Sequence, residues 1–173
     1  MHYSKIKHFD IANGPGVRTS LFVSGCSNHC KGCFNPETWN FNYGKEFTDE
    51  TIKEILDSID NNNITGLSIL GGDPLEYANL DMVGKLVKEF RNRFGFSKTI
   101  WMWTGYLMED IAFAPDKRKW DVVRWVDVLV DGKFILAKKD LKLQFRGSSN
   151  QRIIEIQKSQ TFNTLILSDY MNS

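Results

Sequence analysis

All three cysteines of the chain lie within one short stretch, Ser24-Gly25-Cys26-Ser27-Asn28-His29-Cys30-Lys31-Gly32-Cys33-Phe34-Asn35-Pro36, with the spacing Cys-x3-Cys-x2-Cys. Three thiolates on one loop can converge on one metal centre. Thiolate is a soft ligand suited to iron–sulfur clusters, zinc and copper(I). A cubane of four irons usually has a cysteine on each iron. Three cysteines would leave one iron without a protein ligand and open to a small molecule. A Cys3His zinc site using His29 is the first competing reading. Structural zinc sites usually draw on two separated ligand pairs, however, and no second pair exists here. His29 is also adjacent to Cys30, which makes chelation of one ion by both awkward. Three unrelated buried cysteines are the second competing reading, and the dense clustering counts against it.

The motif and its surroundings resemble a known family. Cys26-x3-Cys30-x2-Cys33 looks like the signature of the radical S-adenosylmethionine enzymes. Asn13-Gly14-Pro15-Gly16-Val17-Arg18-Thr19-Ser20 before it and Cys33-Phe34-Asn35-Pro36 after it resemble the glycyl-radical-enzyme activases, most closely the group acting on anaerobic ribonucleoside-triphosphate reductase. Two departures are visible. Asn13 stands where the larger activase group often has Asp. Gly32 stands where the superfamily often has an aromatic residue, although the reductase-activating group is similar to this chain in having Gly.

The resemblance implies a 4Fe-4S cluster on Cys26, Cys30 and Cys33, which would be both metal ligands and catalytic residues. It implies S-adenosyl-L-methionine as cosubstrate, beside the segment Gly32, Cys33 and Phe34. Reductive cleavage would give methionine and a 5′-deoxyadenosyl radical, which would take hydrogen from a glycine Cα of the partner. The implied partners are the glycine-bearing loop of the reductase and a flavodoxin-like electron donor. Other readings stay open: an activase of another glycyl radical enzyme of the pyruvate formate-lyase type, a small radical enzyme acting on a metabolite, or a non-catalytic zinc-binding module. The sequence also leaves open whether Arg18 and Asn35 act in the site.

Composition narrows the field. At 173 residues the chain is expected to form one domain, 1–173, large enough to bury a core. Its 22 Lys+Arg and 21 Asp+Glu leave a net charge of +1, which gives no reason to expect nucleic acid or a membrane as partner. No apolar run approaches the roughly 18 residues that span a bilayer. Met1-His2-Tyr3-Ser4-Lys5 has no apolar signal region behind it, so a cytoplasmic location is expected. Clustered cysteines in a reducing compartment read as metal ligands rather than disulfides.

Strands and helices alternate along the chain. Ser20-Leu21-Phe22-Val23 reads as a buried strand leading into the cysteine loop. Thr48 reads as a helix N-cap, followed by Ile52, Ile55, Leu56 and Ile59 at helical spacing. Leu67-Ser68-Ile69-Leu70 is a second strand, and Leu80, Val83, Leu86, Val87 and Phe90 form a second helix with Asn79 as its possible cap. Further strands are expected at Thr99 to Thr104, within Val122 to Val130, at Ile153 to Ile156 and around Thr164 to Leu167. The alternation argues for an α/β fold of about five or six mostly parallel strands with flanking helices. It agrees with the partial, open (β/α) barrel of the resembled family. A closed eight-unit barrel takes about 250 residues, so closure is not expected. An open side beside the cluster suits a protein substrate, which can cover a carbon radical against water.

Ligands of α/β sheets bind at the C-terminal ends of parallel strands. The cysteine loop, Gly71-Gly72-Asp73-Pro74, Thr104-Gly105-Tyr106 and Asp131-Gly132-Lys133 all follow strands, so they should gather on one rim. Gly71-Gly72-Asp73-Pro74 alone would be an ordinary turn. Behind the cysteine loop it resembles the Gly-Gly-Glu-Pro motif that lines the methionine end of S-adenosylmethionine, with Asp73 replacing the longer Glu. Asp131 and Lys133 would be an ordinary solvated pair by composition. In related activases a similar Asp-x-Lys contacts the cofactor, and the pair would complement its ammonium and carboxylate. Thr104 could reach the ribose or carboxylate. His29 is expected to be exposed or to lie behind the ligands.

Overall fold

The computed structural model describes residues 1–172. Seven strands and five α-helices occur among them. The order is β1 (His2–Asp10), β2 (Arg18–Val23), β3 (Lys45–Glu46), α1 (Asp49–Ile59), β4 (Gly66–Gly71), α2 (Tyr77–Phe94), β5 (Thr99–Trp103), α3 (Met108–Ala112), α4 (Arg118–Val123), β6 (Val128–Asp131), β7 (Arg152–Glu155) and α5 (Ile156–Phe162).

The strands form one open sheet in the order β3-β1-β2-β4-β5-β6-β7. Its centre is parallel: β2 pairs with β4, β4 with β5, and β5 with β6. The flanks are antiparallel, β1 with β2 and β3, and β6 with β7. The sheet therefore has seven strands rather than five or six, and half of its pairings are antiparallel.

Strand alternation divides the sheet into two faces. Leu21, Val23, Leu67, Ile69, Ile100, Met102 and Leu129 face the helices and pack with Ile52, Ile55, Val83, Leu86 and Phe90. Trp101, Val128, Val130 and Ile153 pack on the opposite face with Trp103, Phe145, Tyr170 and Met171. Among the described residues no long helix packs on that second face. Phe22, Leu70 and Trp103 line a cleft on it.

Several local expectations were met and others were displaced. The Thr48 hydroxyl accepts from Thr51 N, and Thr48 N donates to the Thr51 hydroxyl, a reciprocal cap on α1. The N-cap of α2 is Glu76, not Asn79. Asn79 instead donates its amide to Ser24 O (3.0 Å) and Asp73 O (2.9 Å). Val122 and Val123 belong to α4, so the strand begins only at Val128. Around Thr164 to Leu167 there is a single bridge, Ile154 to Leu167, rather than a further full strand.

Arg18 closes the N-terminal end of the parallel core, away from the rim. It is fully buried. Its Nε donates to Ser68 Oγ (2.8 Å), and Nη2 donates to Leu67 O (2.8 Å) and Thr99 O (2.9 Å). Burial pushes its guanidinium down to about 10, which still leaves it charged at neutral pH. It is thus neither a rim residue nor one of the salt bridges. Among the described residues no helix is long and apolar enough to cross a membrane.

Candidate metal centre

The cysteine loop leaves the C-terminal end of β2 and is pinned at its base. Ser24 N donates to His2 O (2.9 Å), Gly25 N to Thr38 O (2.7 Å) and Cys26 N to Trp39 O (3.3 Å). A 3-10 turn over Pro36–Trp39 supplies two of these acceptors. Gly25 has φ +98, and a Cβ there would meet the Phe41 ring at 2.4 Å, so only glycine fits the start of the loop.

Cys26, Cys30 and Cys33 are free, partly exposed and line the same cleft, whose volume is about 700 Å³. Each thiol faces a backbone N–H. Asn35 N donates to Cys33 Sγ (3.4 Å), Asn28 N–H is directed at Cys26, and Phe134 N–H at Cys30. Burial pushes the Cys26 thiol up to about 11 and raises Cys30, while these donors and Lys133 oppose the rise. N–H donors of this kind favour thiolate and tune cluster-bound sulfur. Among the described residues no three His, Cys, Asp or Glu side chains converge on a point that would hold a single ion. A cubane asks for one thiolate per iron corner, and three thiols on one open cleft fit that demand.

His29 takes no part in this group. It has φ +45, and its ring stacks on Trp39 at 4.7 Å between centroids. Gly32 (φ +76) turns the chain between Cys30 and Cys33, and a Cβ there would meet Leu136 at 2.9 Å. Phe34 is mostly exposed at the cleft, with its edge against Phe134 at 5.4 Å.

The rim motifs meet around one carboxylate. Asp73 is buried and accepts from Thr104 Oγ1 (2.8 Å), Gly105 N (2.9 Å), Leu75 N (3.0 Å) and Asn28 Nδ2 (3.2 Å). It joins its own turn to the end of β5 and to the cysteine loop. Burial pushes its carboxyl up to about 6 against the pull of these donors. The Thr104 hydroxyl donates here, so it serves the scaffold first. Gly71 and Gly72 line the cleft, but their missing side chains make room for protein. A Cβ on Gly71 would meet Val23 O at 2.7 Å, and one on Gly72 would meet Gly25 O at 2.6 Å.

Asp131 and Lys133 part company. Lys133 lines the cleft. The Asp131 carboxylate is fully buried on the other side, where it accepts from Met108 N (2.8 Å) and from the Arg152 guanidinium. Gly132 between them has φ +95, which breaks the strand alternation. Asn35 reaches the site through its backbone N–H.

Three contributors were not anticipated from sequence. Glu76 accepts from Ser27 N (2.7 Å) and Ser27 Oγ (2.6 Å), gripping the cysteine loop next to Cys26. Asn28 and Phe134 serve through an amide and a backbone N–H. Only Glu76 carried a signal, as an acid two residues beyond Pro74 in a rim motif.

Known proteins resemble this chain along most of its length. Residues 12–154 match the family described as a 4Fe-4S single cluster domain. The chain is 42% identical over 155 residues to the anaerobic ribonucleoside-triphosphate reductase-activating protein of Enterobacteria phage T4, covering 88% of this chain and 93% of that protein. It is 41% identical over 155 residues to the protein of the same name from Vibrio cholerae, covering 88% and 97%. With the Escherichia coli K12 protein of that name it shares 42% over 153 residues, covering 87% and 96%.

Proposed function

Since the chain belongs to the family of anaerobic ribonucleoside-triphosphate reductase-activating proteins, whose 4Fe-4S single cluster domain spans residues 12–154, we propose that it generates a glycyl radical on that reductase. The observation that supports this most directly is the three-thiol cleft, in which each cysteine faces a backbone N–H.

In this reading Cys26, Cys30 and Cys33 would hold a 4Fe-4S cluster, and the cleft beside them would take S-adenosylmethionine. When bound, the pair supplies reductive cleavage of a sulfonium and a carbon radical that abstracts hydrogen. The protein's own work is positioning and water exclusion. Gly71 and Gly72 present backbone at the cleft beside the cysteine loop, where they would meet the methionine end. Lys133 would pair with the carboxylate, a charge-assisted contact. The cleft volume of about 700 Å³ suits a ligand of that size, since such sites typically run ~300–1,000 Å³.

The open side of the cleft would admit a polypeptide loop, and glycine suits the reaction because no side chain blocks its Cα. The family resemblance supports a flavodoxin-like electron donor, and because the reaction requires no side-chain acid or base the cysteines are its catalytic residues in this reading.

Anaerobic mixing of the reconstituted protein with its candidate reductase, S-adenosylmethionine and a one-electron reductant tests the proposal. A glycyl-radical signal in electron paramagnetic resonance, dependent on all three cysteines, is expected. A cluster-loaded protein that cleaves S-adenosylmethionine yet never yields that signal would point to a metabolite substrate.

A further inference from the structure

Two carboxylates lie against the cysteine loop, and their arrangement is unusual for buried acids. Glu76 and Asp73 are both buried. Glu76 touches Ser27, the neighbour of Cys26, through two hydrogen bonds, and Asp73 touches Asn28. Every partner of either carboxylate is a neutral donor: backbone N–H, hydroxyl or amide. Among the described residues no ion pair neutralises either one. Buried Lys119 lies over the rings of Tyr77 (3.6 Å) and Tyr106 (4.3 Å), and it pairs with neither acid. Two carboxylates without an ion-pair partner therefore stand beside the loop, Asp73 on the wall of the cleft and Glu76 against Ser27. Burial raises the nearby Tyr106 hydroxyl, and Glu76 and Asp73 add to that rise.

We propose that Glu76, seconded by Asp73, is a positioning residue for the redox chemistry and holds the reduction potential of the cluster on Cys26, Cys30 and Cys33 low. The inference rests on the reading that these cysteines carry a 4Fe-4S cluster. One-electron reduction adds a negative charge to the cluster. No proton moves and no bond forms; the electron comes from an external one-electron reductant. An adjacent fixed negative charge in a poorly screened interior disfavours that addition, and charge near a cluster is one of the levers on its potential. The consequence suits the proposed reaction, because a sulfonium is a poor electron acceptor and a low-potential donor drives transfer to it. The backbone N–H groups on the three thiols act in the opposite sense, so the two sets bracket the value.

Glu76→Gln isolates the charge, because the amide oxygen can still accept from Ser27. Ser27→Ala removes one of the tethers and keeps the charge. Glu50→Gln, on the exposed side of α1, controls for any loss of charge. Each reconstituted protein is assayed for iron and titrated potentiometrically without oxygen. Glu76→Gln is expected to keep four irons and raise the equilibrium constant for reduction at least tenfold, about 59 mV for one electron. Ser27→Ala should leave the potential unchanged or lower it, and Glu50→Gln should leave it unchanged. An unchanged potential in Glu76→Gln overturns the proposal, as does an equal rise in Ser27→Ala. Loss of iron in Glu76→Gln but not in Ser27→Ala also overturns it, since Glu76 would then be a loop anchor. A wild-type protein that takes up no cluster would remove the functional reading as well, whereas the other outcomes remove this inference alone.

Discussion

Gly105 and Asn28 occupy one space: a Cβ on Gly105 would come within 2.3 Å of the Asn28 amide nitrogen. Both donate to the same Asp73 oxygen, Gly105 N at 2.9 Å and Asn28 Nδ2 at 3.2 Å. The bare end of β5 is therefore what lets the cysteine loop dock onto the sheet. Gly105→Ala should expel Asn28 and cost about 1–3 kcal/mol for the charged hydrogen bond lost. Urea unfolding reads the stability, and iron per protein after reconstitution reads the site. Native values for both would show that this docking is dispensable.

Gly72→Val tests a similar contact at the rim. The sequence suggests that this change would block S-adenosylmethionine and spare the cluster. The structure predicts more damage, because the first added carbon would press on Gly25 O at 2.6 Å and Thr38 O at 3.0 Å. Both belong to the cysteine loop and its base. Iron uptake itself should fall several-fold. Full iron content with cosubstrate binding abolished would restore the simpler expectation.

The ligand set gives a third test. Cys26→Ala, Cys30→Ala and Cys33→Ala should each abolish a stable four-iron cluster and cleavage of S-adenosylmethionine. His29→Ala should leave iron near normal, because the His29 ring is engaged with Trp39. Should His29→Ala lose metal as completely as the cysteine variants, a Cys3His zinc-type site becomes the better description.

Asp131 and Lys133 should separate in their effects. Lys133→Ala is expected to weaken S-adenosylmethionine binding with stability intact. Asp131→Ala is expected to destabilise the fold by about 1–3 kcal/mol, since it leaves the buried Met108 N–H without an acceptor and takes one of two carboxylates from Arg152. Calorimetric titration with the cosubstrate and urea unfolding distinguish them. A weakened cosubstrate affinity in Asp131→Ala at native stability would return that residue to the rim.

Acid should expose the outer half of the same network. The Arg152 guanidinium grips Glu109 with two hydrogen bonds (2.8 and 2.6 Å) and pulls its carboxyl down to about 2 from an ordinary 4.5. The folded value is the lower one, so the stabilisation is present above pH 4.5 and is lost as pH falls towards 2. Glu109 is half exposed, which limits the effect to about 0.2–1 kcal/mol. Wild type should exceed Glu109→Gln in urea midpoint at pH 7, and the gap should be clearly narrower at pH 3 and close towards pH 2. A gap that is the same at pH 7 and pH 3 would rule this pair out as its source.

Much of the parallel core was legible because β2, β4, β5 and β6 are apolar runs that end in glycine-bearing loops. β1 was not, because it is an edge-side strand with register shifts and polar residues at its centre. Lys5 and Lys7 extend over Phe22 there, at 4.7 and 5.5 Å, so charged side chains do the covering that apolar ones would do elsewhere. β7 was visible as a strand but not in direction. The connection from β6 to β7 carries only a short 3-10 turn over Leu136–Lys138 and no helical crossover, so the chain returns antiparallel. In the site, the cysteines and the glycine motifs could be read from type and spacing. The orientation of Asp131 could not, because one positive φ at Gly132 decides it, and the use of Phe134 depends on a backbone N–H that carries no side-chain signature.

Arg18 bears on the order of assembly. It binds Ser68 and Thr99, 50 and 81 positions further along the chain, so its donors are met only when β2, β4 and β5 are all in register. A partly assembled chain would carry an unsatisfied cation in its interior, a penalty that makes the intermediate costly and the transition cooperative. The three strands that converge on Arg18 at one end also carry the cysteine, Gly-Gly-Asp-Pro and Thr104 loops at the other. Their loops cannot be brought together piecemeal. Cluster assembly is therefore expected to be a late event: the three thiols are neighbours in sequence at every stage, but the walls of the cleft around them, from Gly71 and Gly72 to Lys133, come together only after the sheet is complete.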